Sequence, residues 1–290
     1  MGLTVLLTAL VSMGVLSITL YAPSLPAIAD DLETSAASVQ ATLGLFLFGF
    51  ALAQLVCGPL SDRFGRRPVL LVGIVLYILA SLACALAPSI LALQIGRVAQ
   101  GMAACCGPVI ARAIVRDRFE GSEAVRALAF IGTALAVAPA AAPIIGGQLQ
   151  VWLGWQWNFV ALALIGATLL VLCLRYLPET NRHPLADALK ARALFSNYAM
   201  LLGNRRYVGC VLVGALLFGG VISYNSLAPF LFVNELGMSP DIYGMTMLFT
   251  VAGYASGSYT TGRLIGRMRP RPIILIALAV PVWVVLGLGA

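Results

Sequence analysis

The amino-acid sequence predicts an all-α membrane protein, and three observations carry that assignment. Hydrophobic residues make up 61% of the chain and charged ones only 10%, a balance suited to a surface that faces lipid rather than water. The few charges leave long runs without any Asp, Glu, Lys or Arg, at 34–61, 68–96, 127–174, 207–234, 242–262 and 272–290. Each run meets or exceeds the ~18–20 residues that a helix needs to cross a bilayer. Finally, the cations are sorted by sidedness: of the 18 Lys and Arg, all except Arg97 fall in alternate connections.

Read in order, these runs give nine spans, at about 3–23, 41–60, 69–87, 90–111, 127–150, 158–175, 207–231, 242–262 and 272–290. The first lacks the charged start of a secretory leader and is followed by eight more, so it reads as a permanent helix. The 127–174 run is twice the length of a span. Gly154-Trp155-Gln156-Trp157-Asn158 divides it, with indoles suited to the membrane–water boundary. Pro178, Glu179 and Pro184 end the sixth helix.

The basic connections are 2–3 (Arg63, Arg66, Arg67), 4–5 (Arg112, Arg116, Arg118, Arg126), 6–7 (Arg175 through Arg206) and 8–9 (Arg263 through Arg271). The opposite loops hold acids only, among them Asp30, Asp31, Glu33, Glu235 and Asp241. An excess of cations on one side predicts that side, and the N-terminus with it, to be cytoplasmic. The same sorting accounts for the net charge of +7, so nucleic acid is excluded as a partner. Residues 1–177 then form a six-helix N-terminal bundle and 178–206 a cytoplasmic central loop. Residues 207–290 form three helices of a partial C-terminal bundle. All six Cys fall in apolar segments and read as small packing residues, and His183 reads as a solvated loop residue, so no metal or redox role is expected.

Two features exceed what topology demands. One is the turn Gly58-Pro-Leu-Ser-Asp62-Arg63-Phe-Gly65-Arg66-Arg67-Pro68. Gly58 and Gly65 suit a tight turn pressed against neighbours, with Gly65 free to adopt a positive φ. Asp62 fixes a negative charge at the inner face, while Arg63, Arg66 and Arg67 either anchor to lipid phosphates or pair with Asp117 and Glu120. The other is Arg97, about eight residues and roughly 12 Å into the fourth span. A charge at that depth costs at least ~2–3 kcal/mol, so it either faces an aqueous cavity or a partner, or snorkels outward. Arg97, Gly101, Ala104, Pro108 and Arg112 share a helical stripe, with Gln100 beside it. Thr19, Tyr21, Gln54, Tyr224 and Asn225 are polar residues of the first, second and seventh spans. They suit either a mixed cavity wall or routine bonds between helices.

In sequence these stretches resemble the drug:proton antiporter branch of the major facilitator superfamily, most closely its bicyclomycin and chloramphenicol resistance (Bcr/CflA) group. The resemblance runs from Tyr21-Ala-Pro23-Ser-Leu-Pro26 through the Gly58–Pro68 loop, Arg97-Val-Ala-Gln100-Gly101 and Pro139-Ala-Ala-Ala-Pro143-Ile-Ile-Gly146-Gly147 to Asn204-Arg205-Arg206-Tyr207. It implies a major facilitator fold and a monomer in a bacterial-type inner membrane. It also implies alternating access and export of drug-like small molecules. The energy source would be the proton gradient, with no cofactor and no enzymatic chemistry. Asp62 would lock two six-helix halves together, Arg97, Gln100, Gly101 and Arg112 would serve coupling or the cavity, and Pro139, Pro143, Gly146 and Gly147 would hinder leak.

Two departures qualify those expectations. Thr19 stands where many such antiporters carry an Asp, and no predicted span contains Asp or Glu, leaving Asp30, Asp31, Asp62 or a further region to supply a proton carrier. Family members have twelve helices where nine are found here. The expectation is therefore a truncated product, with a non-transporting membrane remnant as the alternative function.

Overall fold

The computed structural model describes residues 2–181, 185 and 198–265, and among them the regular structure is helical throughout. The predicted ninth span, His183 and most of the central loop lie outside the described residues. Contacts divide the chain into two units, Met1–Met247 and Leu248–Ala290.

The chain opens with α1 (Gly2–Thr19). Pro23 and Pro26 lack the N–H groups that the carbonyls of Thr19 and Ala22 would otherwise accept, so the helix tightens into a 3-10 turn at Ala22–Ser24. It resumes as α2 (Leu25–Asp31), making the first span a bent rod longer than its predicted 3–23. The next helix, α3 (Ala36–Phe64), is capped by Ser35, whose Oγ accepts from the Ser38 N–H at 3.2 Å. It stops at Gly65, where φ is +100°, a conformation that strains any residue with a Cβ. After it come α4 (Arg66–Ala85) and α5 (Ile90–Ala104), the latter capped by the Ser89 side chain.

Where the sequence predicts one fourth helix, the structure has a break at Cys105 between α5 and α6 (Cys106–Arg118). Pro108 explains it, since it cannot donate to the carbonyl of Ala104. Next come α7 (Gly121–Leu153) and α8 (Gln156–Tyr176), separated at Gly154 as the doubled run predicted. Trp155 departs from the boundary role expected of it. Its indole is buried and donates to Asp31 at 2.8 Å, whereas Trp152 and Trp157 are exposed. After residue 204, α9 (Arg205–Pro229) runs into a π-helical turn at Phe230–Glu235, and α10 (Pro240–Ile265) follows. Six of the described rods are long and apolar enough to cross a membrane by length and composition, and α7 and α10 have 33 and 26 residues.

The main seams are α3 on α5, α4 on α8, and α1 on α6 and α7. Lipid supplies little hydrophobic force between helices, so close backbone approach must hold them. Glycines provide it. A Cβ on Gly101 would lie 2.0 Å from the Phe46 carbonyl oxygen, one on Gly49 2.3 Å from that of Val98, and one on Gly146 1.7 Å from that of Leu20. Outward-facing Val72, Leu76, Leu79, Leu164 and Val171 are exposed, as a lipid-facing surface requires.

Gly101→Ala should therefore separate α3 from α5 and cost about 1–3 kcal/mol. Thermal unfolding in detergent should show a lowered Tm for it. In contrast Gly219→Ala, at a glycine with open space around it, should leave Tm unchanged or raised.

Candidate functional site

Arg97 is fully buried and does not snorkel. Its guanidinium lies 4.4 Å from the ring centroids of both Tyr21 and Phe46, and 5.8 Å from that of Phe159. Aromatic faces attract a cation most strongly when water is excluded, so these rings replace part of its hydration. Nη1 donates to the Ser17 carbonyl at 3.0 Å and to Gln100 Oε1. The network extends outward: Gln100 donates to Ser81 Oγ at 2.8 Å, Ser81 donates to the Tyr77 carbonyl, and the Ser17 and Tyr77 hydroxyls are 2.7 Å apart. On the far side, the Tyr21 hydroxyl meets Thr42 Oγ1 at 2.8 Å.

Nε and Nη2 of Arg97 have no hydrogen-bond partner, and no described carboxylate pairs with the guanidinium. A buried cation without a counter-charge is expensive, and one with idle donors more so. The cluster draws on α1, the turn after it, α3, α4, α5 and α8, so its geometry depends on how those helices pack.

Other predicted cavity residues lie elsewhere. Thr19 is buried, but its hydroxyl donates to the Val15 carbonyl of its own helix and offers no acid function. Arg112 is exposed midway along α6, beyond the break. Tyr224 is exposed, and Asn225 donates to Val221 within α9. Gln54 is exposed too. The backbone of Pro139 lies inside α7. Gly146 and Gly147 let that helix touch the Leu20 carbonyl and the start of α10, the latter with Pro240 O 2.4 Å from a would-be Gly147 Cβ. Reciprocally, a Cβ on Gly244 would lie 2.4 Å from the carbonyl oxygen of Pro143.

At the other end of the bundle the Gly58–Pro68 stretch forms a charged knot; it is helical except at Gly65 rather than the turn expected, and a Cβ on Gly58 would meet open space, so that glycine presses on no neighbour. Arg66 pairs with Asp62 one turn earlier, with Asp117 of α6 at 3.0 Å, and with Ser61 Oγ at 2.6 Å. The expected bond to Asp117 is thus present. No described bond joins the three arginines to Glu120; Arg63 lies over the Phe64 ring and Arg67 donates to the Leu174 carbonyl at 2.9 Å.

Glu179 is the functional-site residue that sequence reasoning missed. Its two carboxylate oxygens accept from the backbone N–H groups of Arg66 and Arg67, each at 3.0 Å, capping α4 from more than a hundred residues away. Gly65 makes this possible, because a Cβ there would lie 2.6 Å from Glu179 Oε2. Nearby, Asn181 Nδ2 and the Leu185 N–H both donate to the Asp62 carbonyl. The available signal was an acid immediately after a Pro helix stop, facing a loop whose following helix has no capping side chain of its own.

Partial burial pushes the pKa of the Glu179 carboxyl up, but the N–H donors of Asn181, Arg66, Arg67 and Thr180 outweigh it and hold the group below its ordinary value. A folded-state pKa below the unfolded one gives stability that is full above ~4.3 and lost as pH falls through the folded value. Glu179→Ala should remove about 1 kcal/mol of helix capping and speed hydrogen exchange at the Arg66 and Arg67 amides several-fold. Acidification should produce the same speeding in the wild type and none in the variant.

Comparison with known proteins places this geometry. A profile of the Major Facilitator Superfamily matches residues 5–290. The chain is 37% identical over 285 residues to an uncharacterized MFS-type transporter, YdgK, of Bacillus subtilis, covering 96% of this chain and 69% of that protein. It is 30% identical over 267 residues to the multidrug resistance protein MdtL of Escherichia coli, covering 92% and 67%. An uncharacterized transporter of Rickettsia bellii is 31% identical, covering 87% and 62%. The chain thus spans about two thirds of the length of these curated relatives. Among solved structures, a D-xylose-proton symporter superposes with TM-score 0.71 at 16% identity, covering 92% of this chain and 69% of that one. A bacterial homologue of the lysosomal transporter Spinster, inward-facing and unoccupied, gives 0.69 at 21%, covering 93% and 63%. Sequence family and helical fold agree, and the chain belongs to the Major Facilitator Superfamily of multi-pass membrane transporters.

Proposed function

We propose that this protein exports small, mainly apolar, drug-like molecules by alternating access, using inward proton movement as its energy source. The observation that carries the reading is Arg97, a fully buried guanidinium with two idle donors and no described carboxylate partner. Packing alone gives no return on such a charge, so its retention points to work done in another state of the molecule. A fixed cation favours the deprotonated form of any acid brought beside it. A cycle that alternately presents and withdraws an acid there would move a proton, and Gln100 and Tyr21 hold the guanidinium for that encounter. Thr19 cannot be that acid.

The names of relatives such as MdtL favour drug-like substrates over sugars. The Asp62–Arg66–Asp117 knot, with Glu179 on α4, would act as the cytoplasmic latch. The close seam of Pro143, Gly146 and Gly147 with α10 would keep the pathway from leaking. This reading places the basic loops and the N-terminus in the cytoplasm of a bacterial-type inner membrane, with the protein working as a monomer.

Cells expressing the protein should accumulate less of a fluorescent dye or of chloramphenicol than controls, and a protonophore should abolish the difference. Arg97→Ala should bring efflux to background. Arg97→Lys keeps the charge but loses the planar contact with Tyr21 and Phe46, so efflux should fall about tenfold. Wild-type efflux that persists unchanged with the protonophore present would overturn the coupling, and full activity in Arg97→Ala would overturn the role of the guanidinium.

A further inference from the structure

Three of the six cysteines, read from sequence as packing residues, converge where α3 crosses the break between α5 and α6. Cys57 comes from α3, Cys105 is the break itself and Cys106 begins α6. All three sulfurs lie within 4.8 Å of one another, with Cys57 Sγ 3.4 Å from Cys106 Sγ. Consecutive residues of an unbroken helix point about 100° apart. The loss of a hydrogen bond at Pro108 loosens the turn that lets Cys105 and Cys106 address one point. Gly73 of α4 makes room on the third side, since a Cβ there would lie 2.6 Å from Cys106 Sγ.

The cluster is also approachable. Cys57 and Cys106 line a cavity of about 1090 Å³ bounded by α3, α4 and α5, and Met102 lines it as well. Its remaining wall is apolar, including Leu52, Val72 and Leu76, which are exposed on the outside of the bundle. A visitor to these thiols must therefore be soft enough to prefer sulfur and neutral enough to enter an apolar cleft.

We propose that Cys57, Cys105 and Cys106 form a binding site for trivalent arsenic, either arsenous acid or a monosubstituted arsenical. Charge decides between the soft candidates. A monovalent copper ion on three thiolates would leave two negative charges, and a zinc ion one negative charge and an empty fourth position, all in a low-dielectric environment. Arsenous acid leaves none. Three times over, an As–O bond and an S–H bond break while an As–S bond and an O–H bond form, releasing three waters with no electron transferred. A monosubstituted arsenical exchanges two hydroxyls in the same way and needs only two of the sulfurs. Bonds to sulfur of about 2.3 Å, as for other thiophilic centres, would draw the three sulfurs in by a small side-chain adjustment. Once bound, the atom would cross-link α3 to both α5 and α6. This inference stands apart from the transport reading, because it concerns binding and is measured without transport.

The test uses the full chain, purified in detergent and reduced with a phosphine, with arsenite and phenylarsine oxide as probes. Arsenite should bind one per chain, and X-ray absorption should show three sulfur neighbours. Mapping by alkylation should show protection of Cys57, Cys105 and Cys106 while Cys84, Cys173 and Cys210 keep their reactivity. Cys57→Ser should weaken arsenite retention by at least about tenfold, some 1.4 kcal/mol, while phenylarsine oxide still binds through the remaining pair. Cys210→Ser should change neither. Arsenic found on Cys84, Cys173 or Cys210, a first shell with fewer than three sulfurs in the wild type, or undiminished arsenite retention in Cys57→Ser would each overturn the site. The absorption and protection results come from the wild-type protein, so they decide the matter even if the serine variants fold poorly.

Discussion

A single guanidinium in an apolar interior sets the terms for the helices packed around it. Arg97 must be compensated from several directions at once, because no described acid does the job. Three aromatic faces, a helix carbonyl and a glutamine supply that compensation from five different segments. A shift of α1 or α3 by an ångström would weaken contacts whose strength depends on exclusion of water. Conversely, Arg97 gives those helices a polar reason to meet at one place, which the uniform apolar surfaces around them cannot provide.

Much of the architecture was legible because lipid imposes so harsh a filter on sequence. Runs without charge mark rods, and the doubled run could be divided at Gly154 by the glycine and indoles there. Less legible were the breaks within rods. Pro23 with Pro26, and Pro108, each remove backbone donors, yet many membrane helices pass through a proline without interruption, so the consequence depends on packing that composition does not encode. The indole of Trp155 was misjudged for a related reason. An aromatic at the end of a span suits the interface, but Asp31 offers it an inward hydrogen bond.

For the site, depth along a helix was enough to single out Arg97 and its neighbour Gln100, and the Arg66–Asp117 pair followed from opposite charges in adjacent loops. Tyr21 was selected for polarity and turned out to contribute its ring as well. Contacts across long stretches of chain were invisible: Glu179 reaches the start of α4 over more than a hundred residues, and nothing local distinguishes it from any acid after a proline. The same applies to Cys57 and the Cys105–Cys106 pair, which share a point in space only because of a kink. Arg112 and Tyr224, selected by residue type, are exposed and stand apart from the Arg97 cluster.

The seam between α3 and α5 carries one more consequence. Gly49 of α3 sits under the Val98 carbonyl and Gly101 of α5 under the Phe46 carbonyl, so each rod presents a notch to the other's backbone. Sliding one rod by a single residue, about 1.5 Å, would bring a neighbour's Cβ toward each oxygen. Opposed notches of this kind act as a mechanical detent: they resist axial creep while still permitting the pair to tilt as a unit. Any large motion of this half must then be a rocking of whole bodies, with its hinge placed outside that seam.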